Sequence, residues 1–358
     1  MHVDSLGNEL ITLDVPKRLR SRLQAAVCSV SRMRRPGSRS LLPLALLALL
    51  LVSGCGGGSD DGSRPAPAPT EFPSAKGKTI GNLLHDPGAK PSNLVIAPAT
   101  QTFDVGENRY AFGVFTRGQE QVSDADVALY FAKDGKGPVT GPLPAQVTSL
   151  ETKPAYRATG AGGPSEATTV YVVPKVDFDR NGPWLAIAML KGKDGLEVTR
   201  VTATPVVGEF PQIPEDGEKA PVIHTPTAAE VGGDLAKIDT RVPPDQMHQV
   251  DFADVVGKKP VMLVFATPAL CQTRVCGPVV DVEQQVADSY KGKAEFIHME
   301  IWNDNDIAKG PRPQVEAFNL ESEPWAFLID RNGIVRDRIE GAFGVSELEE
   351  AMRKIVPG

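Results

Sequence analysis

Cys271 and Cys276 stand at a strand-to-helix junction, in Phe265-Ala-Thr-Pro-Ala-Leu-Cys-Gln-Thr-Arg-Val-Cys-Gly-Pro-Val-Val-Asp281. A local cysteine pair in such a place can carry thiol–disulfide exchange. One thiolate attacks a disulfide sulfur, and the second thiol resolves the mixed disulfide that forms. Cys271 is expected at the N-terminal end of the helix, where the helix dipole and free N–H groups favour a thiolate. Arg274, about a turn on, would add positive charge. Cys271 is therefore assigned as nucleophile and Cys276 as resolving thiol. The competing reading is a static disulfide or two inert buried thiols.

Spacing constrains this chemistry. Residues five apart in an ideal α-helix have Cα atoms roughly 8–9 Å apart. A disulfide needs less than about 7 Å. Either Cys271 precedes the helix proper, or the helix opens. Gly277-Pro278 suggests a weak turn that lets Cys276 swing toward Cys271, because proline lacks a backbone donor and restrains the residue before it.

The other two cysteines are read as processed or modified. Arg32, Arg34, Arg35 and Arg39 form a basic region, and Leu41 to Val52 an apolar run of signal-peptide length. Leu51-Val-Ser-Gly-Cys55 resembles a bacterial lipoprotein cleavage and lipidation signal. Cys28 would be removed with the signal, and Cys55 would carry the lipid. Residues 1–54 read as a signal peptide, with 1–32 an over-extended start ahead of Met33. Acyl chains on Cys55 would hold the protein at the extracytoplasmic face of a cell membrane, a setting where disulfides persist.

The precursor carries 38 Lys+Arg and 45 Asp+Glu. Residues 1–54 hold eight basic and three acidic residues, so the remainder has 30 against 42, net −12. That balance argues against nucleic acid and anionic headgroups as partners of the folded part.

Residues 55–91, rich in Gly, Ser, Pro and Ala, read as the lipidated cysteine and a disordered tether. Residues 92–208 read as an all-β domain. Short β-branched runs such as Tyr110 to Phe115 and Leu185 to Leu190 alternate with turn signals such as Asp134-Gly135. Their spacing fits an immunoglobulin-like β-sandwich without its disulfide. Trp184 is expected in its core. Residues 209–240, acidic and Pro-rich, read as a linker that leaves the two domains separable, with the second folding alone from about Ala220. His85, His224 and His248 are read as solvated surface residues. No metal and no cofactor are expected.

Residues 241–358 alternate α and β. Val261 to Phe265 is apolar throughout, like a buried central strand. A helix, the strand Ala294 to Trp302 and a short helix follow. Two strands then flank the hairpin signature Asp330-Arg-Asn-Gly333, and Ser346 opens a C-terminal helix with a Ser-x-x-Glu cap. His298 and Glu300 share a strand face, and Glu300 is a candidate proton shuttle.

The order strand–helix–strand–helix–hairpin–helix, with a dithiol after the first strand, resembles thioredoxin-like proteins, and more narrowly their membrane-tethered extracytoplasmic group. The resemblance lies in Asp251 to Phe265, the dithiol segment ending at Pro278, and Glu323-Pro-Trp-Ala-Phe-Leu-Ile-Asp-Arg-Asn-Gly-Ile-Val335. It implies a cis Pro324 facing the reactive cysteine. The departures are Cys-x4-Cys in place of Cys-x-x-Cys, and Trp325 where the family usually has Thr. Thr-Pro ahead of the pair is similar to one peroxiredoxin branch, but Thr267 lies four residues before Cys271 rather than three. Thr267, Pro268, Arg274, Pro324 and Trp325 are expected to face substrate. The resemblance implies a lipid-anchored thiol–disulfide oxidoreductase acting on protein or small-molecule thiols. The alternatives are a metal-handling or assembly module of the same fold, or a thiol peroxidase.

Overall fold

In a computed structural model of the chain, the described residues are 62–159, 166–192, 195–271 and 273–356. The segment read as a signal peptide and Cys55, read as a lipidation site, lie outside them. Among the described residues no helix is long and apolar enough to cross a membrane.

Strand-forming residues dominate the first half, and they build two sheets. The strands are β1 (Ala89–Pro91), β2 (Val95–Pro98), β3 (Gly106–Phe115), β4 (Asp126–Ala132), β5 (Val139–Pro144) and β6 (Gln146–Ser149). They continue with β7 (Thr169–Phe178), β8 (Gly182–Pro183), β9 (Leu185–Gly192), β10 (Gly195–Arg200) and β11 (Val206–Val207). One sheet has the order β1-β10-β9-β4-β5, the other β2-β3-β7-β6, and β8 pairs with β11. Between the sheets lie Tyr110, Phe112, Phe131, Tyr171, Phe178 and Trp184. The Trp184 indole N–H donates to the Arg180 carbonyl, so the ring is buried with its polar atom satisfied.

The segment read as tether is part of this fold from residue 62 onward. Phe72, Ala75, Ile80 and Leu83, the last two on α1 (Ile80–Leu84), pack on Tyr130, Ile187 and Met189 of the five-stranded sheet. A few apolar residues in a polar stretch suffice when an open sheet face awaits them.

The second half follows the element order expected from sequence. The elements are α2 (Phe252–Val255), β12 (Val261–Phe265), α3 (Cys276–Ser289), β13 (Glu295–Met299), α4 (Pro313–Ala317), β14 (Trp325–Ile329), β15 (Val335–Glu340) and α5 (Val345–Ile355). The sheet order is β13-β12-β14-β15. β12 runs parallel to β13 and antiparallel to β14. All five β12 residues are buried, because both faces of a central strand are covered. Ser346 lies within α5, whose cap residue is Gly344 with no side-chain cap bond.

The stretch read as linker packs tightly. Ile213, Ala220 and Ile223 join Leu263, Phe265 and Phe327 in one core cluster. Ala220 N–H donates to Gly333, and Val335 N–H to Glu218, so this stretch lines the edge of β15. The two halves also share a core. Ala111, Val170 and Val172 of the first pack with Met262, Val264, Cys276 and Val279 of the second. Arg109 clamps the junction through Glu347 and the Ala342 carbonyl. Gly341, with φ +78°, lies against the Ala99 carbonyl, where a Cβ would collide. The separability read from sequence is thereby revised: a chain starting near Ala220 loses Ile213 and half of a shared core.

Candidate functional site

Cys271 and Cys276 form a disulfide, with Cα atoms 6.0 Å apart. Cys276 is the first residue of α3, and Cys271 lies in the loop before it. The helix therefore does not need to open. Pro278 falls in the first turn, where its missing donor costs nothing. This corrects the placement of Cys271 at the helix start and the weak-turn mechanism together. It leaves the fully buried Cys276 on the helix N-terminus and Cys271 partly exposed beside it. The Cys271 sulfur is 3.2 Å from Thr273 Oγ1, a hydroxyl that can donate to a thiolate.

Glu323 completes the site. Its carboxylate and both sulfurs all lie within 4.8 Å of one another. It immediately precedes Pro324, and the peptide between them is cis. Oε2 of Glu323 is buried without a partner. Burial, then the nearby Glu300 carboxylate, pushes its pKa up to about 7. Glu300 itself is buried and accepts from Thr240 N–H, while Thr240 Oγ1 accepts from Ala269 N–H in the dithiol loop. Sequence reasoning chose Glu300 as the proton carrier. The structure brings Glu323 to the sulfurs, with Glu300 behind it. The signal for Glu323 was its adjacency to Pro324.

Of the residues expected to face substrate, Thr267, Pro268, Pro324 and Trp325 are buried. Thr267 Oγ1 has no partner. The Arg274 guanidinium bonds Gln119 of the first half at 3.3 Å rather than the thiolate. Its backbone has φ 63°, and its carbonyl accepts from Ala167 N–H. Trp325 is 1% exposed and stacks on Phe327. Along β14, Ala326 and Leu328 share the cluster of Cys276, whereas Trp325, Phe327 and Ile329 lie in the other. Residues alternate across a strand, so Trp325 is on the sheet face away from the dithiol. Its N–H donates to Ser322 Oγ.

Residues 273–275 form one wall of a groove of about 370 Å³, mainly apolar, whose other wall is β2, β3 and β7. The first half thus contributes surface beside the dithiol loop.

A second polar cluster is buried beside β13, on the α3 side of the sheet. His248 and His298, both read as ordinary polar residues, meet Asp239 and Asp245, and all four are at most 2% exposed. His298 Nε2 donates to the Ala266 carbonyl at 3.0 Å, and its Nδ1 is 2.7 Å from Asp245. Burial opposes charge on His298, but Asp245 and Asp239 outweigh it and lift its pKa to about 10. Burial would raise Asp245, and His298 more than reverses this, taking it to about 2. His248 is thus corrected from surface to core. His224 and His85 are exposed; His224 bonds Asp251 at 2.6 Å.

No protein-family model and no curated protein matches this chain. Among solved structures, similarity is found to a putative thiol:disulfide interchange protein DsbE from Chlorobium tepidum, at 19% identity and TM-score 0.29. It covers 40% of this chain and 99% of that one. A thioredoxin-family thiol:disulfide interchange protein from Chlorobium tepidum TLS gives 16% identity, TM-score 0.28 and the same coverage. The C-terminal domain of ZirS gives 12% identity and TM-score 0.15, over 47% of this chain and 98% of that one. Likeness this slight carries no argument about function, which rests here on the site itself.

Proposed function

We propose that the protein is a thiol–disulfide oxidoreductase working through Cys271 and Cys276. The observation that carries this is the partly exposed Cys271, bonded to a buried Cys276 at a helix N-terminus, with an uncommitted Glu323 carboxyl beside both sulfurs. A partner thiolate attacks Cys271 Sγ and forms a mixed disulfide. The Cys271–Cys276 bond breaks, and Cys276 leaves as a thiolate stabilised by the helix dipole. Glu323, as the neutral acid, donates a proton to it. A second partner thiol, losing its proton to solvent, then attacks the mixed disulfide and releases Cys271. The partner dithiol loses two electrons and two protons, the protein disulfide gains both electrons and two protons, and solvent returns to Glu323 the proton it gave. In reverse, Glu323 carboxylate takes the Cys276 proton and Cys271 attacks a partner disulfide.

We read the compartment from sequence: a signal peptide, a lipid on Cys55 and an extracytoplasmic membrane surface. The two-sheet half is read as an immunoglobulin-like support that shapes the groove beside residues 273–275. Protein or small-molecule thiols are the proposed partners.

The test is a redox titration of the Cys271/Cys276 pair, followed by trapping with Cys276→Ser. The proposal requires a reversible two-electron midpoint and a mixed disulfide on Cys271. A pair that stays oxidised against excess dithiothreitol in the native protein is structural.

A further inference from the structure

We infer that Asp239, Asp245, His248 and His298 form a buried binding site for one divalent transition-metal ion, with zinc the best match to the donor set. Two imidazoles and two carboxylates suit zinc, which takes nitrogen and oxygen ligands in tetrahedral array. The spacing agrees. His248 Nε2 lies 3.5 Å from Asp239 Oδ2 and 3.4 Å from Asp245 Oδ1. His298 Nδ1 lies 2.7 Å from Asp245 Oδ2 and 3.9 Å from Asp239 Oδ1. Four ligands at zinc bond lengths of about 2.0–2.1 Å stand about 3.3 Å from one another in a tetrahedron. One donor atom from each of the four side chains lies within 4.8 Å of the others, a spread that encloses this separation.

An independent observation is the orphan donor. His248 is 2% exposed, and its Nε2, aimed at the two carboxylates, has no hydrogen-bond partner. A buried imidazole nitrogen left unpaired costs free energy; a metal–nitrogen bond removes that cost. Both oxygens of the fully buried Glu283, within electrostatic reach of His298 and Asp245, are also unpartnered.

The supporting bonds are those a metal site needs. His298 Nε2 donates to the Ala266 carbonyl, which turns Nδ1 toward Asp245; an ion would take the place of the Nδ1 proton, which metal binding releases. Backbone N–H groups of Arg241 and Asp245 donate to the two oxygens of Asp239, and that of Met247 to Asp245. These bonds orient the carboxylates and leave lone pairs facing the histidines. The set is closed, with four protein ligands and no exposed face, which marks a structural rather than a catalytic ion. Its effect would be to pin the 239–248 segment to β13. Thr240, in that segment, holds the dithiol loop through Ala269. The site is separate from the sulfur chemistry and stands whether or not the dithiol is redox-active.

The test uses the full chain with its disulfide intact, so that Cys271 and Cys276 take no part. The protein is unfolded in guanidinium with a chelator, then refolded with CoCl2 or ZnCl2 alone, since a buried ion must enter during folding. One equivalent of cobalt should bind, with the strong visible absorption of four-coordinate nitrogen and oxygen ligation. Zinc should raise the melting temperature of wild type but not of His248→Ala, whose affinity should fall more than about 100-fold. Asp245→Asn, whose amide oxygen still accepts from Met247 N–H and whose amide NH2 faces His298 Nδ1, should weaken binding with the fold retained by circular dichroism. Absence of stoichiometric binding, equal binding by His248→Ala, or a sulfur-to-cobalt charge-transfer band would each overturn the proposal.

Discussion

The dithiol and the buried Asp–His cluster lie close to the same strand end and are built in opposite ways. The dithiol is local: two cysteines five residues apart, one exposed enough to react. The cluster is assembled from residues 239, 245, 248 and 298, all withdrawn from solvent. At the dithiol, an uncommitted carboxyl sits where a proton must move. At the cluster, every carboxylate is tied down by backbone donors. The first arrangement suits reaction and the second suits holding. Thr240 and Glu300 join them, with Thr240 bonded both to Glu300 and to the dithiol loop.

Substitutions can sharpen this contrast. The largest effect is expected away from the chemistry. Trp325→Thr should cost about 3–5 kcal/mol in urea unfolding, the usual penalty for truncating a large buried aromatic. Turnover per folded molecule should hold. A change in substrate choice at unchanged stability would put Trp325 back on the dithiol face.

Glu323→Gln should slow exchange by about 10²-fold, the low end for loss of a general acid–base. It should also abolish the rate change with a midpoint near pH 7, where burial and the Glu300 carboxylate place the titration of Glu323. An unchanged pH–rate profile would leave Glu323 as a bystander.

Thr273→Val removes the hydroxyl beside Cys271. The thiolate should lose one charge-assisted bond, and its pKa should rise by about one unit. Iodoacetamide kinetics against pH give that value directly.

A last effect concerns stability. Folding raises the Glu323 pKa from 4.5 to about 7, so the folded state favours the neutral acid. This contribution is complete below about pH 4.5 and is lost as pH rises through about 7. As pH rises from 4.5 to 8, the melting temperature of oxidised wild type should fall relative to that of Glu323→Gln. Parallel curves would deny it.

Much of the second half was legible because its signals are local. Val261 to Phe265 reads as a buried strand from composition, and Asp330-Arg-Asn-Gly333 as a hairpin from turn chemistry. The misreadings share a cause: they depend on what a segment meets after folding. Phe72, Ile80 and Leu83 are too sparse to predict a core, yet they cover a sheet face. His248 sits in Pro-rich sequence that reads as a loop, and packing against His298 of β13 buries it beside Asp239 and Asp245. Trp325 was the avoidable error. Alternation with Ala326 and Leu328 puts its side chain opposite theirs, and the dithiol helix covers the smaller residues.

The central claim, that Cys271 is the reacting sulfur and Cys276 its buried partner, is tested most directly by timed alkylation of the reduced full chain at neutral pH, mapped by mass spectrometry. The structure predicts label on Cys271 first, with Cys276 protected until denaturant is added. Faster label on Cys276, or none on either residue in the native protein, would contradict it.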